Sequence, residues 1–262
     1  HLRQLVESKQ RWMDPLRPEE QRLGFKGWYA SRTLPHFDAP GAWQFVTFRL
    51  ADSLPATQRH EQSKAYPDKT STGVRSVRSV EAPDALMKGD GDVATPLGSS
   101  MDETTFQSHD KQLDLGFGEC HLKDPRIAQM VQDSLWHFDG VRYRLLAWVI
   151  MPNHIHAVIE VWQTPLHKLV QGWKGFSARN ANQVLDRTGT FWQSDYFDQY
   201  IRDADHYHRV VKYIEWNPVA VGLVRSPEAW TWSSARFRGA PGAEVPRSEE
   251  HTSELQSPLN IS

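Results

Sequence analysis

The feature that most constrains this chain is a pair of apolar runs, residues 143–150 and 154–161, joined by a short turn that contains proline. Each run has the length of a buried strand, and the two lie close enough in sequence to form a β-hairpin. The second run begins with His154, Ile155 and His156. Because alternate residues of a strand point to the same face, the two imidazoles are predicted to lie side by side while Ile155 turns into the core. Such a pair is half of a site for a divalent metal ion.

The periodicity of the surrounding sequence predicts a mixed α+β domain around this hairpin. Residues 43–50 alternate as a strand does, and Asp124 is suited to cap a helix that Pro125 begins. Pro218 disfavours helical geometry at Asn217, so the last long helix is expected to end there. The full predicted series is a strand at 43–50, a helix at 125–138, strands at 143–150 and 154–161, a helix at 166–185, a strand or strand-like segment at 191–201, a helix from Asp203 or Asp205 to about 216 and a short helical segment at 219–224. This order predicts a ferredoxin-like antiparallel sheet with helices on one face and an additional C-terminal helix.

Composition divides the 262 residues into a core domain and appended segments. Residues 56–110 are rich in Ser, Thr, Asp, Gly and Lys without a sustained period, which is typical of a disordered insertion. Residues 247–262 are expected to be a non-native tail, because their first part resembles the in-frame translation of a common sequencing adaptor. The core domain is therefore assigned to residues 24–240, interrupted by the insertion, and residues 1–23 form an N-terminal extension.

The net charge of -2 hides an uneven distribution. The insertion holds 6 basic and 9 acidic residues, and the tail holds 1 basic and 3 acidic residues. The remaining chain holds 23 basic and 20 acidic residues. The domain is thus mildly basic, at about +3, which permits a DNA partner without requiring one.

Cys120 is the one cysteine, so no disulfide can form within the chain, and no apolar run approaches the roughly 20 residues of a membrane span. We expect a cytoplasmic protein with no membrane partner.

The last long helix carries a second set of chemically informative residues. Tyr213 and Asn217 are four apart and share one helix face, whereas the nearby Tyr207 lacks such a partner. A tyrosine hydroxyl beside a metal ion can attack a phosphodiester, although free tyrosine, with a pKa near 10, is only about one-thousandth ionised at neutral pH. Two imidazoles and one amide oxygen would hold Mg²⁺ or Mn²⁺ with positions open for phosphate oxygens. The residues alone leave open that Tyr213 is an ordinary buried tyrosine and that Asn217 only ends a helix before proline.

Taken together, these motifs resemble the HUH single-tyrosine transposases of the IS200-like family, and among them the REP-associated tyrosine transposases. The resemblance spans roughly residues 24–240 without the insertion, and it is carried by segments 27–55, 118–120, 124–126, 143–161, 191–202, 213–224 and 230–234. It implies an HUH endonuclease fold, His154 and His156 as metal ligands, Tyr213 as the nucleophile, Asn217 as the third ligand and Mg²⁺ or Mn²⁺ as the cofactor. It also implies cleavage of single-stranded DNA beside palindromic REP-like hairpins, through a 5′-phosphotyrosine intermediate that permits strand transfer.

Basic residues on the two last long helices are the candidates for DNA contacts, namely Lys168, Lys174, Arg179 and Arg209. The simplest explanation of these residues is a solvated helix face, and contact with DNA phosphates is the alternative. Three functions stay open: a metal-dependent DNA nickase and strand transferase, a domesticated protein that binds hairpins without turnover, and an unrelated metal phosphohydrolase that uses water. The presence of the histidines and the tyrosine favours the first. Related enzymes imply either a monomer or a homodimer.

Overall fold

A computed structural model of the chain describes residues 14–31, 34–55 and 112–238. The predicted insertion at 56–110, the predicted tail at 247–262 and the first part of the N-terminal extension lie outside the described residues. The helices and strands are, in chain order, α1 (Pro18–Leu23), β1 (Gly27–Ser31), β2 (Leu34–Asp38), β3 (Trp43–Arg49), α2 (Pro125–Trp136), β4 (Tyr143–Ile150), β5 (His154–Val161), α3 (Leu166–Val184), β6 (Phe197–Tyr200) and α4 (Ala204–Ala220). In the part of the chain that is described, no helix is long and apolar enough to cross a membrane.

Four strands form one antiparallel sheet in the order β4-β5-β3-β6. β5 lies inside the sheet, paired with β4 on one side and with β3 on the other. In the sequence, α2 lies between β3 and β4, and α3 lies between β5 and β6. The chain therefore follows the βαββαβ path of a ferredoxin-like fold. The predicted hairpin, the α+β class and the ferredoxin-like sheet are confirmed.

Different helices cover the two faces of the sheet, because each strand alternates its side chains between them. On one face, Ile155 and Ala157 of β5 belong to a buried core that also contains Trp173 of α3 and apolar residues of α2. On the other face, Val158 packs in a separate core with Ile214 of α4. The two crossover helices thus share one face, and the C-terminal helix covers the opposite one.

Local signals set the helix boundaries, with one correction. Asp124 and Asp203 cap α2 and α4 through side chains that accept from backbone N–H groups of the first turn. The predicted helix end at about residue 216 is wrong, because α4 continues through Pro218 to Ala220 and includes the start of the separate segment expected after it. Proline removes one backbone donor, and α4 accommodates it in its last turn, where the ring is buried. Asn217 therefore keeps its helical position.

The last strand is shorter than predicted, since β6 covers four residues rather than the whole of 191–201. Trp192 makes an isolated bridge to Leu50, after which the chain leaves the sheet until β6 begins. The ammonium group of Lys174 on α3 holds this turn by donating to three successive backbone carbonyls, those of Gln193, Ser194 and Asp195 at 2.5, 3.0 and 3.1 Å. A long-range contact, rather than the local pattern, thus decides where the strand begins.

The strands β1 and β2, which the sequence pattern did not predict, form a two-stranded sheet beside β6. Its anchor is the buried imidazole of His36, whose Nδ1 binds the Asp198 carboxylate and whose Nε2 lies 3.6 Å from an oxygen of Asp195. Burial lowers the pKa of His36, but the two carboxylates outweigh burial and raise the pKa to about 9. The imidazole is therefore charged at neutral pH, and its ion pair ties the small sheet to the large one.

We predict that this ion pair makes the protein less stable as the pH rises above neutrality. Because the pKa of His36 is about 9 in the folded state and about 6.5 in the unfolded state, its stabilisation is complete below pH 6.5 and is lost as the pH rises through 9. Urea unfolding should show a loss of up to about 3 kcal/mol across that range, which His36→Gln abolishes. His208→Gln, at an exposed histidine of α4, is the control and should keep the wild-type dependence. An unchanged dependence in His36→Gln would contradict the assignment.

Candidate active site

Two buried imidazoles form the centre of the site. His154 and His156 project from β5 toward α4, their Nε2 atoms are 3.1 Å apart, and neither residue is exposed to solvent. Ile155, between them, points into the core on the opposite face. The predicted side-by-side arrangement is therefore confirmed, and the role of the pair as metal ligands stays a prediction.

The first imidazole is oriented by the neighbouring Asn153. The Asn153 amide nitrogen donates to the backbone carbonyls of Leu113 and Phe117, at 3.1 and 3.2 Å. Its Oδ1 is consequently the atom that faces His154 Nδ1, at 2.7 Å, and an amide oxygen can only accept. His154 therefore carries its proton on Nδ1 and presents the lone pair of Nε2 to the site.

The second imidazole is oriented by Thr47 on the neighbouring strand. The β3–β5 register sets Thr47 directly opposite His156, and the threonine hydroxyl lies 2.8 Å from His156 Nδ1. A hydroxyl can donate or accept, so His156 can hold its proton on either nitrogen. If the proton is on Nε2, His156 donates a hydrogen bond to His154 Nε2. If the proton is on Nδ1, the lone pairs of the two Nε2 atoms face each other and require a cation between them.

Helix α4 brings Tyr213 and Asn217 onto the histidines. The ring of Tyr213 meets the ring of His156 edge to face, with 5.5 Å between centroids. The amide nitrogen of Asn217 donates to the Tyr213 hydroxyl at 3.4 Å, as the four-residue spacing predicted. Asn217 is itself buried, and its Oδ1 has no hydrogen-bond partner among the described residues. A buried amide oxygen without a donor is a costly arrangement that a bound cation would relieve.

A carboxylate that the sequence reading missed completes the wall of the site. Asp114 lies just before the turn at residues 115–118, with its Oδ1 3.9 Å from His154 Nε2. That oxygen is buried and, within the described part of the chain, accepts no hydrogen bond. Burial raises the pKa of Asp114 to about 6, and a hydrogen bond that the Asn217 side chain donates to the carboxylate offsets part of that rise.

The residues present fit a hard divalent cation. Ligands in neighbouring octahedral positions lie about 3 Å apart when each is about 2.1 Å from the metal, which matches the 3.1 Å between the two imidazole nitrogens. The buried oxygens of Asn217 and Asp114 are two further acceptors with no donor in the described structure. No group of three His, Cys, Asp or Glu side chains in the described ranges is gathered tightly enough to hold a metal alone. The amide of Asn217 is therefore needed for a third ligand.

The four basic candidates for DNA contact lie on both sides of the domain. Lys168, Lys174 and Arg179 belong to α3, which the sheet separates from the histidines. Lys168 donates to the carbonyl of Leu23 at 3.3 Å, and Lys174 holds the turn before β6. Arg209 lies on α4, one helical turn before the tyrosine, and is exposed. Only Arg209 thus lies on the helix that carries the proposed nucleophile, and DNA binding by all four stays a prediction.

The position of α4 depends on the segment that follows it. Glu215 accepts a hydrogen bond from Ser234 Oγ at 2.7 Å and forms an ion pair with Arg238. Arg238 also donates to the carbonyl of Leu146 on β4, at 2.9 Å, and Trp232 accepts from the backbone of β4. The C-terminal segment therefore fastens the helix of Tyr213 to the edge strand of the sheet.

Three residues of the site, Asn153, Thr47 and Asp114, were not predicted from the sequence, which contains only weak signals for them. Asn153 adjoins the first histidine, and Thr47 alternates within a predicted strand, but their roles depend on pairings across the fold. Asp114 stands 40 residues before the histidines, at the end of a segment of low complexity. No periodicity or spacing in this chain links these three residues to the site.

Comparison with known proteins gives consistent similarities. Residues 126–217 match the family model described as "Transposase IS200 like", and this segment contains both histidines, Tyr213 and Asn217. The chain is 30% identical over 97 residues to the REP-associated tyrosine transposase of Escherichia coli (strain K12). That match covers 35% of this chain and 54% of the relative, so the chain spans about half the length of this relative. A solved structure of the REP-associated tyrosine transposase bound to a REP hairpin is 16% identical, with a TM-score of 0.42, over 81% of this chain and 87% of that one.

We predict that Asn153→Ala destabilises the protein by about 2–4 kcal/mol, because it deprives two backbone carbonyls and one imidazole of their buried partner. The free energy of unfolding in urea measures this loss. Asn180→Ala is the matched control, since that amide donates to one carbonyl at the exposed side of α3, and it should cost no more than about 0.5 kcal/mol. Equal losses in the two variants would refute the structural role of Asn153.

Proposed function

Since residues 126–217 match the IS200-like transposase family model, we propose that this chain is a metal-dependent, sequence-specific endonuclease for single-stranded DNA that also transfers the cut strand. The observation that carries the proposal is the assembly, within one chain, of Tyr213 and Asn217 against the two buried histidines. Because one chain supplies the whole set, we propose that a monomer is sufficient for cleavage. The E. coli relative is named for REP elements, and we assign this chain a palindromic DNA hairpin of the same kind.

We propose that His154, His156 and Asn217 hold Mg²⁺ or Mn²⁺. When bound, the cation would supply positive charge against the scissile phosphate and stabilise the charge that develops there during attack. Asn153 and Thr47 keep both Nδ1 atoms occupied, which turns the Nε2 atoms toward the site. This support of the ligands by neighbouring hydrogen bonds is the usual arrangement around metal-binding histidines.

Tyr213 is proposed to be the nucleophile. Its oxygen would form a bond to phosphorus as the bond from phosphorus to the 3′ oxygen breaks, which leaves the 5′ phosphate on the tyrosine and a free 3′-OH. The phenolic proton is lost and the 3′ oxygen gains one, so the exchange of esters needs no further reactant and is reversible. The amide of Asn217, which donates to this hydroxyl at 3.4 Å, would hold the tyrosine oxygen in position. Reversal with a different 3′-OH would transfer the strand.

Contacts to the DNA backbone are proposed for the exposed basic residues. Arg209 lies on the helix of the nucleophile and is the best situated for a phosphate near the cleavage point. Arg179 and Lys168 are exposed on the far side of the sheet and would reach only a more distant part of the hairpin. Lys174 is engaged with backbone carbonyls, so its contribution to DNA binding would be small.

Burial of the site favours an enzyme over a protein that only binds hairpins. The buried Oδ1 of Asn217, which has no hydrogen-bond donor among the described residues, lowers the stability of the fold. Such buried arrangements persist where a function requires them. Binding of a hairpin at the surface would not require a buried site of this kind.

We expect the purified protein to form a covalent adduct with single-stranded DNA that contains a REP-type hairpin, in the presence of Mg²⁺ or Mn²⁺. The adduct should survive boiling in detergent and migrate with the protein on a denaturing gel. Tyr213→Phe should lower the yield at least about 10³-fold, because no nucleophile remains, while the Kd for the hairpin changes by no more than about twofold. Tyr207→Phe removes a hydroxyl from the same helix and should cleave like the wild type. An adduct on Tyr213→Phe would show that another residue is the nucleophile.

Cleavage should depend on the metal and on both histidines. EDTA should stop adduct formation, and added Mn²⁺ in excess should restore it. His154→Ala and His156→Ala should each remain inactive at Mn²⁺ concentrations that saturate the wild type, because each loses one of the proposed ligands. His208→Ala, at an exposed position of α4, controls for the loss of a histidine. Undiminished cutting in EDTA would exclude the metal mechanism.

A further inference from the structure

We propose that an exposed row on α4, made of Arg209, Lys212 and Trp216, is the track along which the unpaired strand of the DNA reaches the active site. The indole of Trp216 would stack on one unpaired base, and the two cations would lie along the phosphates beside it. The inference rests on the proposed function and deepens it, because it names the residues that distinguish an unpaired strand from a duplex.

Helix geometry carries the first step of the argument. The three residues are spaced three and four apart, so they form one row along the surface of the helix. All three are exposed to solvent. The row borders Tyr213, which lies four residues after Arg209 and three residues before Trp216. A strand that follows this row therefore passes beside the proposed nucleophile.

The exposure of Trp216 carries the second step. Trp216 is 49% exposed, more than any other tryptophan in the described ranges. Among the residues that the structure describes, it belongs to none of the three buried clusters. An exposed indole offers a flat apolar face, and such a face stacks on an unpaired base regardless of which base it is.

The charge of the row carries the third step. In the described part of the chain, the ammonium group of Lys212 forms no ion pair and no hydrogen bond. Glu215, the carboxylate on the same stretch of helix, is already paired with Arg238. Asp205 lies four residues before Arg209, at the other end of the row from the indole. The positive charge next to the indole is therefore left for phosphates.

The combination of a basic track and an exposed aromatic ring determines the kind of partner. Proteins that bind single-stranded DNA without sequence preference use cations along the backbone and aromatic side chains under the bases. A duplex keeps the faces of its bases stacked on each other, so Trp216 would have no surface to act on there. The row would thus hold the unpaired strand next to Tyr213 and leave recognition of the hairpin to other parts of the protein.

Binding of an oligothymidylate of about 12 nucleotides tests the inference, because this probe contains no hairpin and base identity does not matter for stacking. Fluorescence anisotropy is measured in EDTA, so that the proposed metal centre does not contribute. Trp216→Ala should raise the Kd at least about fivefold, whereas Trp216→Phe should stay within about threefold of the wild type. Phe176→Ala is the matched control, since it removes a ring of almost equal exposure from α3, and it should change the Kd by no more than about twofold.

A duplex of the same length separates stacking from other effects. Its Kd should change by no more than about twofold in Trp216→Ala, because paired bases do not stack on the indole. Unchanged binding of the oligothymidylate by Trp216→Ala would overturn the inference. An equal loss for the single strand and the duplex would also overturn it.

The salt dependence of binding tests the contact of Lys212. Lys212→Gln should lower the slope of log Kd against log salt concentration by about 0.7, the value for one phosphate contact on a single strand. Arg142→Gln is the control, because it removes an exposed cation at the far end of the β4–β5 hairpin, where Tyr143 lies opposite Val161. It should keep the wild-type slope, and an unchanged slope in Lys212→Gln would contradict the contact.

A measurement on the wild-type protein does not depend on the folding of any variant. Iodouracil in the single strand crosslinks under ultraviolet light to an aromatic ring that stacks on it, and mass spectrometry of the peptides should locate the crosslink at Trp216. Crosslinks at other residues with none at Trp216 would overturn the stacking and leave the proposed nuclease standing, provided that the hairpin adduct forms. Binding that depends on Trp216 in a protein that forms no adduct would instead contradict the proposed cleavage.

Discussion

The alternation of β5 between two differently covered faces is the constraint on which the rest of the structure depends. The strand lies inside the sheet, so its backbone is fixed on both sides. Every second side chain enters the apolar core under α2 and α3, and the others face α4. His154 and His156 can be buried with facing nitrogens because the opposite face of the same strand supplies apolar contact, which offsets the cost of that polar cluster.

The register between β3 and β5 extends this constraint to the neighbouring strand. It sets Thr47 against His156 and Phe45 against Val158, so that a hydroxyl meets an imidazole and apolar groups meet each other. A slip of one residue would bring Thr47 to the other face and leave the imidazole without its partner. The apolar pairs that stabilise the sheet therefore also set which hydroxyl meets the Nδ1 atom of His156.

Residue periodicity and caps were sufficient to predict the main sheet, because those signals act over a few residues. The strand limits at residues 143–150 and 154–161 and the cap at Asp124 follow from them directly, and Asp203 is one of the two caps that they allowed for α4. The pairing of Tyr213 with Asn217 was likewise predictable from helix geometry. The end of the helix was not, because burial of Pro218 against the rest of the fold outweighs the local preference of the residue before it.

What the sequence could not show are contacts between segments distant in the chain. Lys174 appears in the sequence as one of several helix cations, whereas its place opposite three carbonyls makes it part of the support for β6. His36 gives no sign that two aspartates from a later strand region will surround it. In both cases the role comes from a partner more than 15 residues away, and one-dimensional patterns carry no information about it.

The site also depends on parts of the chain that the family match does not include. Before the matched segment, the turn of Asp114 closes one wall; after it, Ser234 and Arg238 fasten α4 through Glu215. Glu215 lies only two residues from both Tyr213 and Asn217. If its contacts to Ser234 and Arg238 were lost and the helix rotated, the proposed nucleophile and the proposed ligand would move together. The segment 126–217 therefore supplies the proposed nucleophile and the three proposed metal ligands, and the flanking segments supply the geometry in which they meet.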